Sequence, residues 1–79
     1  MEIIQTKKIA SVELAEVLVS ADEIGVYQTA LDLALSQMSE QEIENKFGAT
    51  RDEVEGILED LRQASKICAA NQLEAALAW

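Results

Sequence analysis

Carboxylates are the side chains of this sequence that could do chemistry, but the groups they would need as partners are missing. Fifteen Asp and Glu residues stand against six Lys and Arg residues, with no histidine and a single cysteine, Cys68. Carboxylates act as general acids and bases when a pocket shifts their pKa beside a nucleophile or electrophile. Without histidine, no Ser-His-Asp or Cys-His arrangement can form. We therefore expect no enzymatic activity, no catalytic residue and no cofactor.

The single cysteine also limits how so short a chain can be stabilised. Cys68 has no second cysteine for a disulfide within the chain, and one thiolate without histidine cannot complete a tetrahedral zinc site. A small core supplies only about 3–5 kcal/mol, so chains of this size often add a cross-link, a metal or a partner subunit. Of these supplements, oligomerisation is the one most available to the sequence. We expect a homodimer, no metal, and a buried and inert Cys68.

The formal net charge of −9 bears on which partners are compatible with the chain. An acidic surface repels phosphate backbones and anionic membranes and attracts basic proteins. The longest uncharged stretch, Ile24 to Leu31, is far shorter than the about 20 residues of a membrane span, and no signal peptide is indicated. The unpaired cysteine fits a reducing compartment. We expect a cytoplasmic protein without membrane association; an acidic surface that is merely solvated is the alternative to a basic partner.

Helix-capping signals place the elements that would position these carboxylates. Ser39 with Glu42, and Thr50 with Glu53, have the spacing of capping boxes, in which side chain and backbone satisfy each other at a helix start. Gly48, directly after Phe47, suits the left-handed backbone that ends a helix. The spacing predicts a helix over 40–47 and another from Arg51 onward. A third capping signal, Ser20 with Glu23, begins a helix that continues to Met38.

The remaining segments are assigned by their apolar spacing. Leu14, Val17, Leu18 and Ala21 recur at intervals of three and four, which predicts a helix over 11–19. Residues 1–10 are an arm or a short extended segment. The expected fold is therefore all-α: one compact domain over 1–79 of four to five helices, with a core over 20–63. Residues 64–79 continue the last helix or form a separate one, and Leu73, Leu77 and Trp79 would pack on the core or across a dimer.

The two-helix stretch resembles the helix-turn-helix family, including the last-domain type of sigma factors and small bacterial or phage regulators. Its turn glycine is Gly48, with apolar residues at fixed offsets before and after it: Ile43, Phe47, Ala49, Val54 and Ile57. The resemblance implies that the second helix would enter the DNA major groove, with Thr50 and Arg51 as candidate contacts to nucleic acid. Glu44 departs from the pattern, because the family usually has a small buried residue there.

The charge of the exposed positions favours a protein partner over DNA, because phosphate contacts come mainly from lysine and arginine. We expect an acidic protein-interaction module, such as a regulator or inhibitor of a nucleic-acid-binding protein, that binds a basic surface. A dimeric DNA-binding transcriptional regulator and a structural assembly subunit are the alternatives. The residues expected to form the acidic partner-binding face are Glu40, Glu44, Asp52, Glu55, Glu59 and Asp60.

Overall fold

The computed structural model describes the backbone of residues 1–77 and the side chains of residues 1–71. Two antiparallel strands come first, β1 (Glu2–Ile9) and β2 (Val12–Leu18), and three helices follow. The helices are α1 (Ala21–Gln37), α2 (Glu40–Phe47) and α3 (Arg51–Leu77). The all-α prediction of a four-to-five-helix bundle is therefore wrong, because the first 18 residues form a β-hairpin and the fold is α+β.

The helix predicted over 11–19 is strand β2 and the turn before it. Ala10 and Ser11 form a two-residue turn with φ values of 49° and 70°, the conformation that joins tightly paired antiparallel strands. Ser11 is thus a turn residue rather than a helix cap. The apolar spacing here fits two periods, since Val12, Leu14 and Leu18 also recur at even intervals, as on one face of a strand. Pairing with β1 decides between them, because it supplies the hydrogen bonds that the backbone needs.

The hairpin stands largely apart from the helices. Every residue from Met1 to Leu18 is exposed, and the main packing between elements is that of the strands with each other and of α3 with α1 and α2. Lys7 pairs with Glu16 across the strands, and this hydrogen bond, supported by Gln5, lowers the pKa of the Glu16 carboxyl. Exposed apolar side chains are therefore a main feature of the first 18 residues.

The helix boundaries follow the capping signals closely. Ser39 and Glu42 form the reciprocal capping box at the start of α2, and Thr50 and Glu53 exchange the equivalent bonds at the start of α3. Gly48 ends α2 in the left-handed conformation at φ 68°. At the start of α1 only half of the box forms: Ser20 accepts from the Glu23 amide, 3.1 Å away.

The Glu23 carboxylate is drawn away from Ser20 by other partners. It accepts from the Met1 ammonium at 2.6 Å and from the Tyr27 hydroxyl at 2.9 Å. The ammonium bond is the main reason that the pKa of Glu23 is lowered, and the bond to Glu23 raises the pKa of Tyr27. Tyr27 is exposed, with its hydroxyl at this polar contact.

The core is small and lies where the three helices meet. Ile43 is fully buried, and Leu35, Val54 and Leu58 surround it, with Leu31, Met38 and Ala49 at the edge. Two predicted core residues of the helix-turn-helix pattern are outside it: Phe47 is 45% exposed and Ile57 is 52% exposed. On α3, Val54 and Leu58 point to α1, and Ile57, about 100° from Leu58 around the helix, lies off that stripe.

The last helix is continuous. Residues 64–77, for which a separate short helix was one prediction, extend α3 without a break to Leu77. The side chains of Leu73 and Leu77, and all of Trp79, lie outside the described part of the structure. The prediction that these three residues make a dimer contact is therefore still a prediction.

Candidate functional site

The turn between α2 and α3 forms a shallow groove with carboxylates on both sides. Glu40 and Glu44, one helical turn apart on α2, line it together with Asp52 from the first turn of α3. Thr50 and Arg51 complete the lining. Glu44 is exposed and faces this groove, so its carboxylate does not enter the joint between the helices. Three of the six predicted partner-binding residues are thus brought together from two helices.

Local sequence explains why acidic side chains collect at this place. Glu40 follows the cap Ser39 and Asp52 is near the cap Thr50, so each lies in the first turn of its helix. Carboxylates there interact favourably with the partial positive charge of the helix N-terminus. Because the Gly48 turn brings the start of α3 beside α2, two such helix starts contribute to one surface. The groove therefore combines a role in helix stability with an exposed cluster of negative charge.

Arg51, the nearest cation, is held by contacts within the chain. Its Nη2 donates to the backbone carbonyl oxygen of Leu35 at 3.0 Å, near the end of α1. Its Nε donates to Glu55 Oε1 at 3.1 Å. The guanidinium thus joins the start of α3 to the end of α1, and part of its positive charge is offset by Glu55.

Thr50, the other predicted nucleic-acid contact, is used as a helix cap. Its Oγ1 accepts from the Glu53 amide and donates to the Glu53 carboxylate, both at 3.2 Å. Both residues predicted for the DNA-binding alternative are therefore engaged in contacts that shape the turn. A DNA contact by the Thr50 hydroxyl would have to be shared with its capping bonds, whereas Arg51 uses two of the five N–H donors of its guanidinium.

The other three predicted acidic residues are arranged differently along α3. Glu55 is paired with Arg51, and Glu59 accepts from the Gln63 amide at 3.1 Å and lies 3.7 Å from Arg62 Nη1. Asp60 is exposed and lies about 100° around the helix from Glu59. By helical periodicity Glu55 and Glu59 lie within about 60° of Asp52 around α3, whereas Asp60 lies about 80° in the other direction. Glu55 and Glu59 therefore adjoin the groove along one side of α3.

Sequence reasoning missed two exposed apolar surfaces. One is the hairpin, and the other is the outer side of α1, where a shallow groove is lined by Gly25, Val26, Ala30 and Leu33. The even spacing of Val12, Leu14 and Leu18 was the signal available for the first surface. For the second, the apolar residues around most of α1 indicated a helix with more than one contact face.

In the part of the chain that the structure describes, no group of three or more Asp, Glu or Cys side chains lies close enough to hold a metal ion. None of the helices described is long and apolar enough to cross a membrane. Cys68 is a free thiol and half-buried on α3, so it is less enclosed than predicted.

Comparison with known proteins gives this chain no family. No protein-family model, no curated protein and no solved structure matches it. A function for this chain is therefore inferred from where its residues lie in the fold.

Proposed function

We propose that this protein is a small acidic interaction module of the cytoplasm, which binds a basic protein surface through the groove between α2 and α3. One observation carries the proposal: Glu40, Glu44 and Asp52, from two helices, meet in one exposed groove. Ion pairs between these carboxylates and lysine or arginine of a partner would be charge-assisted hydrogen bonds, which are stronger than neutral ones. The net charge of −9 would speed the approach of such a partner.

A nucleic-acid-binding protein is the specific partner class that fits this groove. Such a protein has a surface of lysine and arginine that accepts phosphates at regular spacing. Carboxylates held on rigid helix starts offer a comparable set of negative charges. Binding there would block access of the nucleic acid, and the module would act as a regulator or inhibitor.

The hydrogen bonds that Thr50 and Arg51 make within the chain favour a protein partner over direct DNA binding. Arg51 donates to Leu35 and Glu55, and Thr50 caps α3, so both side chains are oriented by contacts within the chain, and Glu55 offsets part of the positive charge of Arg51. The neighbouring Glu44 and Asp52 would face the DNA backbone with like charge. A dimeric helix-turn-helix regulator would have to overcome both effects.

A matched pair of double variants tests the groove. The immobilised protein is used to capture its partner from a lysate of the source cells, and affinity for the purified partner is then measured by calorimetry. Glu44→Gln with Asp52→Asn should weaken binding at least about tenfold, which corresponds to about 1.4 kcal/mol. Glu2→Gln with Asp22→Asn removes the same charge away from the groove and should leave the affinity nearly unchanged. Equal weakening by both pairs would show that only net charge matters.

Duplex DNA distinguishes the partner classes. If the module covers a DNA-binding surface, added duplex should displace the partner from the module. Direct retention of the module on duplex DNA at low ionic strength, where phosphate contacts are strongest, would contradict the proposal and favour the DNA-binding regulator. Failure to capture any protein, together with no DNA binding, would favour a solvated acidic surface or a structural assembly subunit.

A further inference from the structure

The hairpin formed by β1 and β2 lacks the packing that a two-stranded sheet needs. An isolated hairpin is marginal in water, and stability normally requires more strands or a helix packed on one face. By the pairing register Ile9, Val12, Leu14 and Leu18 lie on one face of this hairpin, and all four are exposed. The same face carries the ion pair of Lys7 and Glu16. The described parts of the helices leave this face open, and an additional chain is a source of the packing that it needs.

The distribution of charge along the sequence favours a second copy of this protein as the additional chain. Residues 1–18 contain three carboxylates, Glu2, Glu13 and Glu16, and two ammonium groups, Lys7 and Lys8, so this segment is nearly neutral. The rest of the chain contains the other twelve acidic residues and four basic ones. In a twofold dimer the same patch meets itself, so a patch of strong net charge would repel its own copy. The hairpin is the surface where two copies of this acidic chain can approach with least repulsion.

The two edges of the hairpin differ in how they are protected. β1 carries Lys7 and Lys8 and has an irregular register between Ile3 and Gln5, and both lysines and bulges are features that prevent edge-to-edge pairing. β2 runs regularly from Val12 to Leu18 and contains no lysine, arginine, proline or glycine. Its outer edge is therefore the one that is open to another strand.

The free backbone groups of β2 are fixed by the hairpin register. Ile9 and Val12 flank a two-residue turn and so form a hydrogen-bonded pair, after which the bonding alternates along the strand. Glu13, Ala15 and Val17 consequently direct their backbone N–H and C=O groups away from β1. We propose that these groups pair with the same strand of a second copy, around a twofold axis at Ala15, to make a four-stranded antiparallel sheet.

In this register the two Glu16 residues are diagonal neighbours on one face, and each is paired with Lys7 of its own chain. The register places Val12 opposite Leu18 of the second copy, and the two Ala15 residues opposite each other. Glu13 meets Val17 and Glu16 meets Leu14, so no two carboxylates stand directly opposite, an arrangement that would destabilise the pair. A register centred on Glu13 or Glu16 would place two carboxylates together. The four-stranded sheet also brings the exposed apolar residues of the two hairpins onto one continuous face.

A proline pair tests the edge. Ala15→Pro removes the central outward N–H of β2, whereas Thr6→Pro makes the same change at the directly opposite residue on the outer edge of β1. Light scattering should give twice 8.7 kDa for the parent chain and for Thr6→Pro. For Ala15→Pro it should give the single mass, with unchanged helical circular dichroism. A parent chain of single mass, or equal behaviour of the two variants, would overturn the proposal.

A cysteine pair gives a positive signal that does not depend on loss of folding. In a Cys68→Ala background, Ala15→Cys places two thiols opposite each other at the axis, within the Cα separation that a disulfide spans. Mild oxidation should link Ala15→Cys into a covalent dimer and leave Thr6→Cys largely unlinked. Linkage of Thr6→Cys alone, or of neither variant, would contradict pairing through β2. These tests need no second protein, so their failure is distinguishable from failure of the acidic groove to bind.

Discussion

At the scale of single residues, the two isoleucines of the helix-turn-helix pattern have different roles. Ile43 has no exposed surface and contacts side chains from α1 and α3, whereas Ile57 lies beside the buried stripe of α3 and is 52% exposed. Two isoleucines of one sequence pattern therefore differ in role, since Ile43 is packed in the core and Ile57 is largely in contact with solvent.

Truncation of these isoleucines should show the difference. Ile43→Ala leaves a cavity in a core of few residues and should lower the free energy of unfolding by about 2–5 kcal/mol. Ile57→Ala, the matched control, should change it by roughly 0.5 kcal/mol or less, as surface substitutions usually do. Urea unfolding followed by circular dichroism measures both. Similar losses for the two variants would mean that Ile57 is covered in solution.

Arg51 shows why charge patterns alone could not assign roles at this scale. In the sequence it is the basic residue at the start of the second helix, and the resemblance made it a nucleic-acid contact. Its bonds to Leu35 and Glu55 depend on how α1 and α3 cross, since Leu35 is 16 residues away along the chain. Such a contact becomes visible only after the helices are placed.

At the scale of elements, the helix boundaries were the most predictable part of the molecule. Caps act within three or four residues, so Ser39 with Glu42 and Thr50 with Glu53 determine where α2 and α3 begin. The strands were not predictable in the same way. A strand needs a partner for its hydrogen bonds, and the turn of Ala10 and Ser11 lacks the asparagine and glycine that usually mark it.

Gly48, which follows α2, and Gly56, which is inside α3, provide a test of where α2 ends. Gly48 has φ 68°, so Gly48→Ala should lower the free energy of unfolding by about 1–2 kcal/mol through backbone strain, although its side chain would meet no neighbour. Gly56 is inside α3 with open space around it, and Gly56→Ala should raise stability by about 0.5–1 kcal/mol because alanine favours a helix. Thermal unfolding of both variants checks the opposite signs. A gain for Gly48→Ala would argue against a left-handed turn at Gly48, and a loss for Gly56→Ala would argue against open space beside α3 at this position.

At the scale of the whole molecule, negative charge opposes folding. A net charge of −9 on a small chain produces self-repulsion that the few surface ion pairs, each worth about 1 kcal/mol or less, only partly offset. Arg62, for example, bonds Asp32 at 3.0 Å and joins α3 to α1, but twelve carboxylates lie outside the hairpin. Screening of this repulsion by salt should therefore raise the stability of the folded state.

Thermal unfolding at two ionic strengths tests this balance. Raising NaCl from about 0.01 M to about 1 M shortens the Debye length from about 30 Å to about 3 Å. At pH 7 the midpoint should rise by several degrees, about 4–8 °C for each 1 kcal/mol gained in a domain of this size. Near the sequence pI of about 4.2 the net charge vanishes, and the same change in salt should have little effect. A falling midpoint at pH 7 would show that specific ion pairs dominate.

The sequence by itself determined the three helices from Ala21 onward, the left-handed turn at Gly48 and the acidity of the surface. These features depend on residues within one or two helical turns of each other and on composition. Only the tertiary structure decided that residues 2–18 pair as strands, that Phe47 and Ile57 stay exposed, and that Glu40, Glu44 and Asp52 share a groove. The physical reason is the same in each case: strand pairing, burial and charge clustering depend on residues that the chain brings together only after it folds.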